Sequence, residues 1–121
     1  MSDAVQVTTE ARGSVVVLRV DETQVLADRA EAFRARMLSA LPPVGGRLAV
    51  DLRKVDFLDS SGLGALVTVL KAVRPEGDLV LFGLRPSVRE ILRLTHLDTV
   101  FACEADEDAA VALLAGTPQR R

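Results

Sequence analysis

The chain has 121 residues, 49% hydrophobic and 26% charged, with a formal net charge of −2, which is the size and balance of one globular domain with its own core. That balance offers no basic surface for nucleic acid, and four Phe with neither Tyr nor Trp leave little for stacking on bases or sugars. A single cysteine, Cys103, and a single histidine, His96, exclude an intrachain disulfide and leave metal chemistry almost wholly to carboxylates, so no metal and no cofactor is expected.

"AVQVTTE" and "SVVVLRV", joined by "ARG", read as a β-hairpin, being β-branched runs around a Gly-containing turn. From Ala27 the period changes: Ala30, Phe33, Met37 and Leu41 recur three or four apart, as on one face of an amphipathic helix. "PPVGG" at Pro42 to Gly46 cannot continue a helix, and "RLAVDL" after it suits a buried strand closed by Asp51. Leu63, Leu66, Val67, Leu70 and Val73 predict a second helix, with Thr68, Lys71 and Arg74 turned away and an end at Pro75. "LVLFG" is a further strand, "PSVREILRLTHL" a helix with Pro86 in its first turn, "VFAC" a brief edge strand and "DEDAAVALLAG" a closing helix whose acidic start complements the helix dipole. This strand and helix alternation implies an α/β domain with a partly parallel sheet under helical cover. "TPQRR" reads as a loose tail.

No apolar run approaches the roughly 20 residues that span a bilayer, and "MSDAVQVTTEARG" lacks the basic start and apolar middle of a signal peptide. The expectation is a cytoplasmic protein that does not insert in a membrane.

One stretch stands out. In "FLDSSGLGAL", Phe57 to Leu66, Asp59, Ser60, Ser61 and Gly62 fall where a helix begins at about Ser61. Asp and Ser are preferred N-caps that accept a bond from an otherwise unpaired backbone N–H. Three such residues followed by Gly62 and Gly64 exceed what a cap needs, since glycine lowers helix stability by roughly 1 kcal/mol relative to alanine. A helix N-terminus also accommodates a phosphate, which would bring about −1.5 to −2 charge beside Asp59. Spacing alone does not decide between cap and modification site, and the physics alone favours the cap.

"DLRKVDFLDSSGLGALVTVLKAV" resembles the signature of STAS domains, specifically bacterial anti-sigma factor antagonists, whose pattern runs strand, D-S-[ST]-G-L, helix. "VREILRLTHLDTVF" is similar to that family's penultimate helix and following strand, and the likeness extends from about Val15 to the last helix. The resemblance implies a single STAS domain over residues 1–121, with an ordered core over about 4–115 and a loose tail over 116–121. It implies a mixed central sheet of four to five strands with about four helices packed mainly on one side. It further implies a non-enzymatic regulator that binds an anti-sigma factor, itself a serine kinase, and so frees a sigma factor. Phosphorylation of Ser60, with Ser61 as the alternative, would switch that binding off, and a phosphatase would reset it. Asp59, Ser60, Ser61, Gly62, Leu63 and Gly64 would form the partner-binding segment. The chain departs from the family after the second strand, where a Gly-x-Leu/Val-Asp segment is common: "VDETQVLADRAE" does not match it, although Asp21 or Asp28 can supply an acidic group there. A STAS subunit that never cycles phosphate, in a signalling scaffold or beside a membrane transporter, is the alternative.

Other chemistries fit less well. A phospho-receiver domain with Asp59 as acceptor needs an acidic pair after the first strand and a late lysine, and no lysine follows Lys71. A hydrolase nucleophile elbow needs G-x-S-x-G, which is absent, and a triad would have to recruit His96. His96 reads as a partly exposed residue near a helix C-terminus, and Cys103 as a small apolar group. The arginines of "GLRPSVREILRLTH" alternate with apolar positions as on a solvated helix face, and the acids from Glu104 to Asp108 lack the glycine-containing spacing of a calcium loop.

Overall fold

The computed structural model describes residues 5–42 and 45–116. β1 (Val7–Arg12) and β2 (Val15–Val20) form the expected hairpin, antiparallel from Val7↔Val20 to Arg12↔Val15. After a two-residue strand β3 (Gln24–Val25), α1 (Ala27–Ser39) leads to β4 (Arg47–Asp51). A second two-residue strand, β5 (Phe57–Leu58), precedes α2 (Ser60–Val73), which is followed by β6 (Asp78–Phe82) and α3 (Pro86–Leu94). A single 3-10 turn (Leu97–Thr99), β7 (Ala102–Glu104) and α4 (Glu107–Ala115) complete the order.

The main sheet runs β1-β2-β4-β6-β7, with every pair beyond the hairpin parallel. From β2 onward each crossover steps in one direction along the sheet. Right-handed crossovers that all step the same way must all lie on the same face, and this puts α1, α2 and α3 together. Alternation along the strands then divides the apolar side chains. Leu18, Leu48, Val50, Leu79 and Leu81 meet Phe33, Met37, Leu66, Val69, Val88 and Leu92 in the larger core. Val15, Val17, Ala49, Val80 and Phe82 point to the opposite face, where Ala110 and Leu114 of α4 cover them. The sheet is thus mixed and five-stranded, with helices mainly on one side, as expected.

The boundaries differ in physically informative places. The helix expected to run through Leu97 ends at Leu94: the Thr95 hydroxyl donates to the Ile91 carbonyl at 2.8 Å and His96 turns left-handed, with φ of 61°. His96 is therefore exposed beyond the helix. β3 and β5 pair with each other, Gln24↔Phe57 and Val25↔Leu58, as a separate two-stranded ribbon, and neither was read from the sequence. The tail expected from residue 116 falls, apart from Gly116, outside the described residues.

Candidate functional site

β5 ends at Leu58, and Asp59 is the N-cap of α2 in extended conformation, its Oδ1 accepting the Gly62 amide at 3.0 Å. The other carboxylate oxygen does a second job. Oδ2 accepts the Ala27 amide, the first of α1, at 3.0 Å, and α1 has no capping side chain of its own because Leu26 occupies its N-cap. One carboxylate therefore caps two helices, where each N-terminus presents unpaired donors and partial positive charge. The β3 and β5 ribbon makes this possible by holding Val25 beside Leu58, and the Asp59 amide reaches the Val25 carbonyl at 3.4 Å.

Ser60 is the first residue of α2 and is exposed, whereas Ser61 is half-buried. Ser61 sits in the groove between α1 and α2 with Ala27, Ala30, Glu31, Arg34 and Ala65. Among the described residues neither hydroxyl has a hydrogen-bond partner, and the amides of both serines, at the first two helical positions, lack an acceptor. The α2 N-terminus thus keeps open donors beside an exposed hydroxyl, which is the arrangement that tolerates a phosphate.

The segment from Asp59 to Gly64 divides by burial. Gly62 and Leu63 are buried, while Ser60 and Gly64 are exposed and Asp59 and Ser61 lie between. Gly62 is a site of close backbone approach: a Cβ there would stand 2.5 Å from the Val25 carbonyl oxygen. Gly64 has nothing within 4 Å of the same added atom, so the fold gives no reason for glycine at that position. Phe57, three residues before Ser60, is 44% exposed and extends the accessible surface with an aromatic ring that the sequence did not flag. Nothing local marked it, since the strand that turns Phe57 outward and Leu58 inward is only two residues long.

The segment that departs from the family pattern lies against this site. The Thr23 carbonyl accepts the Asp56 amide at 2.7 Å and the Phe57 amide at 3.3 Å. Glu22 accepts from the Gln6 amide and from Arg29, and Asp21 pairs with Lys54 at 2.8 Å. Asp28 is exposed in the first turn of α1. From the other side, α3 fastens the loop before β5: the Ser87 hydroxyl donates to the Asp56 carbonyl at 2.7 Å and Arg85 Nε to the Arg53 carbonyl at 2.8 Å.

A second constellation lies on the face covered by α4 and was not legible in the sequence. Asp51, 5% exposed at the end of β4, accepts from Arg53 through both oxygens, with Nη2 to Oδ2 at 2.7 Å, while Arg19 stands 3.5 Å away. Burial pushes the Asp51 carboxyl up, but the hydrogen bonds and charge of Arg53, with Arg19 behind it, outweigh this and leave it below the usual range. Arg19 and Arg12 both donate to Glu107 of α4, and those bonds lower its carboxyl to about 2. The cations Arg12, Arg19 and Arg53 are each met by a carboxylate, and the pairs to Glu107 secure α4 to the hairpin.

A family model described as the STAS domain matches residues 6–110. A candidate anti-sigma factor antagonist of Bordetella bronchiseptica, BtrV, is 31% identical over 84 residues, which is 69% of this chain and 72% of that protein. The crystal structure of an anti-sigma factor antagonist from Mycobacterium paratuberculosis has the same fold, with a TM-score of 0.80 at 24% identity, covering 95% of this chain and 97% of that one. An anti-sigma factor antagonist domain from Planctomyces limnophilus gives a TM-score of 0.76 at 25% identity over 93% of this chain and 99% of the other.

Proposed function

The chain belongs to the STAS domain family, and on that footing we propose that it acts as an anti-sigma factor antagonist controlled by phosphorylation of Ser60. It binds an anti-sigma factor that is also a serine kinase, the sigma factor is released, phosphate on Ser60 ends the binding, and a phosphatase restores it. The protein contributes a surface and an acceptor hydroxyl and catalyses nothing itself. The observation that carries this reading is the exposed, unbonded Ser60 hydroxyl at the first position of α2. Relatives named as anti-sigma factor antagonists support the partner. Ser61 is the less favoured acceptor because α1 half covers it.

The switch needs no refolding. A phosphate at Ser60 sits where α2 already offers uncommitted amides and favourable dipole charge, so the fold tolerates it. What changes is the surface: about two negative charges appear next to Asp59 and between the exposed Phe57 and Gly64. A partner packed closely there must desolvate that charge, which weakens the complex.

Incubation with an anti-sigma kinase and ATP is expected to add a single phosphate, placed on Ser60 by mass spectrometry. Label on another residue, or none, overturns the assignment. In calorimetry Ser60→Asp should bind the kinase more weakly than the parent, and Ser60→Ala should bind as well as the unmodified protein. Equal affinities for the two variants would show that the position does not control binding.

A further inference from the structure

A cleft lies between α3, the 3-10 turn and β7, and none of the residues lining it belongs to the Asp59 to Gly64 segment. Its floor is apolar: Leu84, Leu92 and Phe101 are 7%, 1% and 3% exposed, yet all three line it. Cys103 of β7, half-buried, forms its inner wall. The rim carries Arg89 and Arg93, one turn apart on α3, with Asp98 of the 3-10 turn as the single acid. The space is about 360 Å³, within the range of roughly 300–1,000 Å³ typical of small-ligand sites.

The two arginines differ in what they have left to offer. Arg93 Nε donates to Glu90 at 3.0 Å, and Asp98 acts on the same guanidinium, so its charge is met from within the chain. The Arg89 side chain makes no hydrogen bond or ion pair among the described residues. Arg89 and Cys103 line the same cleft, and the Arg89 charge pulls the Cys103 thiol down against the larger upward push of burial.

The geometry points to a binding site for a small amphipathic anion, its apolar chain lying on Leu84, Leu92 and Phe101 and its carboxylate or phosphate head paired with Arg89. A guanidinium matches both heads through paired N–H donors, and the nearly dry floor rewards an apolar chain in proportion to the area it covers. A neutral molecule of the same shape would leave Arg89 unpaired, and a headgroup without a chain would leave the floor uncovered.

Cys103 is the only thiol in the chain and lines this cleft, so thiol modification of the folded protein reports on this one position. Octyl phosphate and octanoate should slow the reaction of the native protein with a thiol-disulfide reagent in a saturable manner and raise its melting temperature, while octanol at equal concentration should do neither. Arg89→Ala, at an exposed position, should raise the half-saturating concentration by up to about fivefold, the upper end for a solvent-facing ion pair, and leave the ligand-free melting temperature unchanged. The site is refuted if neither thiol protection nor a saturable melting shift is seen. Equal effects from octanol, or an unchanged midpoint in Arg89→Ala, refute the anionic head. Pelleting with phosphatidic acid vesicles, without any response to soluble octyl phosphate, refutes a soluble guest in favour of a membrane surface.

Discussion

Two glycines only two residues apart in α2 behave as opposites at the residue scale. Gly62 touches the backbone of β3, so Gly62→Ala must push α2 away from Val25, where the added carbon would meet the carbonyl oxygen at 2.5 Å. A loss of about 1–3 kcal/mol is the ordinary cost of such overpacking. Gly64 is exposed with open space around it, so Gly64→Ala should raise stability by about 1 kcal/mol through helix propensity alone. Thermal melts of the two variants should therefore move in opposite directions. If Gly64 lies under the bound partner, the more stable variant should also bind the anti-sigma factor more weakly in calorimetry, because a methyl group now stands in the contact. The sequence supported Asp59 as a cap, because a carboxylate directly before a helical apolar period is placed to accept the first free amides. It did not disclose that the same carboxylate reaches Ala27, since nothing local in "QVLADRAE" marks a helix whose cap comes from elsewhere in the chain.

The helices and longer strands were legible as elements because each carries enough turns or alternations to show its period. The two-residue strands β3 and β5 were not, since two residues contain no period, and yet their pairing sets where Asp59 stands. The final helix was also read only in part. Its acids matched a helix start, and Asp106 does cap it by accepting the Ala109 amide at 2.9 Å. Glu107, however, turns to Arg19 and Arg12 on the hairpin, an attachment between residues too distant in sequence for any local pattern to show. The Glu107 carboxyl is lowered from its ordinary 4.5 to about 2 by these bonds, so the native state favours its charged form. That contribution is complete above about pH 4.5 and is lost as the pH falls towards 2. Asp51, also shifted down, adds to the loss with the same sign. In denaturant titrations Glu107→Gln should be less stable than the parent at neutral pH, and the gap should narrow through that acidic window. A gap that stays constant with pH would show that the glutamate packs without depending on its charge.

At the scale of the molecule, the two cores share one sheet, with β4 and β6 contributing side chains to both faces. Covering one face without the other would leave Val17, Ala49, Val80 and Phe82 open to water, so the layers should not melt separately. We expect the chain to unfold as a single domain in one transition, with far-UV circular dichroism and the exposure of Cys103 to thiol reagents giving the same urea midpoint. Separate midpoints would assign α4 and its ion pairs to an independently opening layer. A partly parallel sheet under helical cover was readable from the order of elements, and helices mainly on one side followed from the family resemblance; the side taken by α4 was not readable, since no strand follows it among the described residues. The carboxylate of Asp59 has a practical consequence for watching the molecule at work. The amides of Ala27 and Gly62 hang on the two oxygens of one group, so in a heteronuclear NMR spectrum anything that displaces that group moves two resonances in concert. A ligand or modification that touches only one helix start would move one signal and leave the other in place.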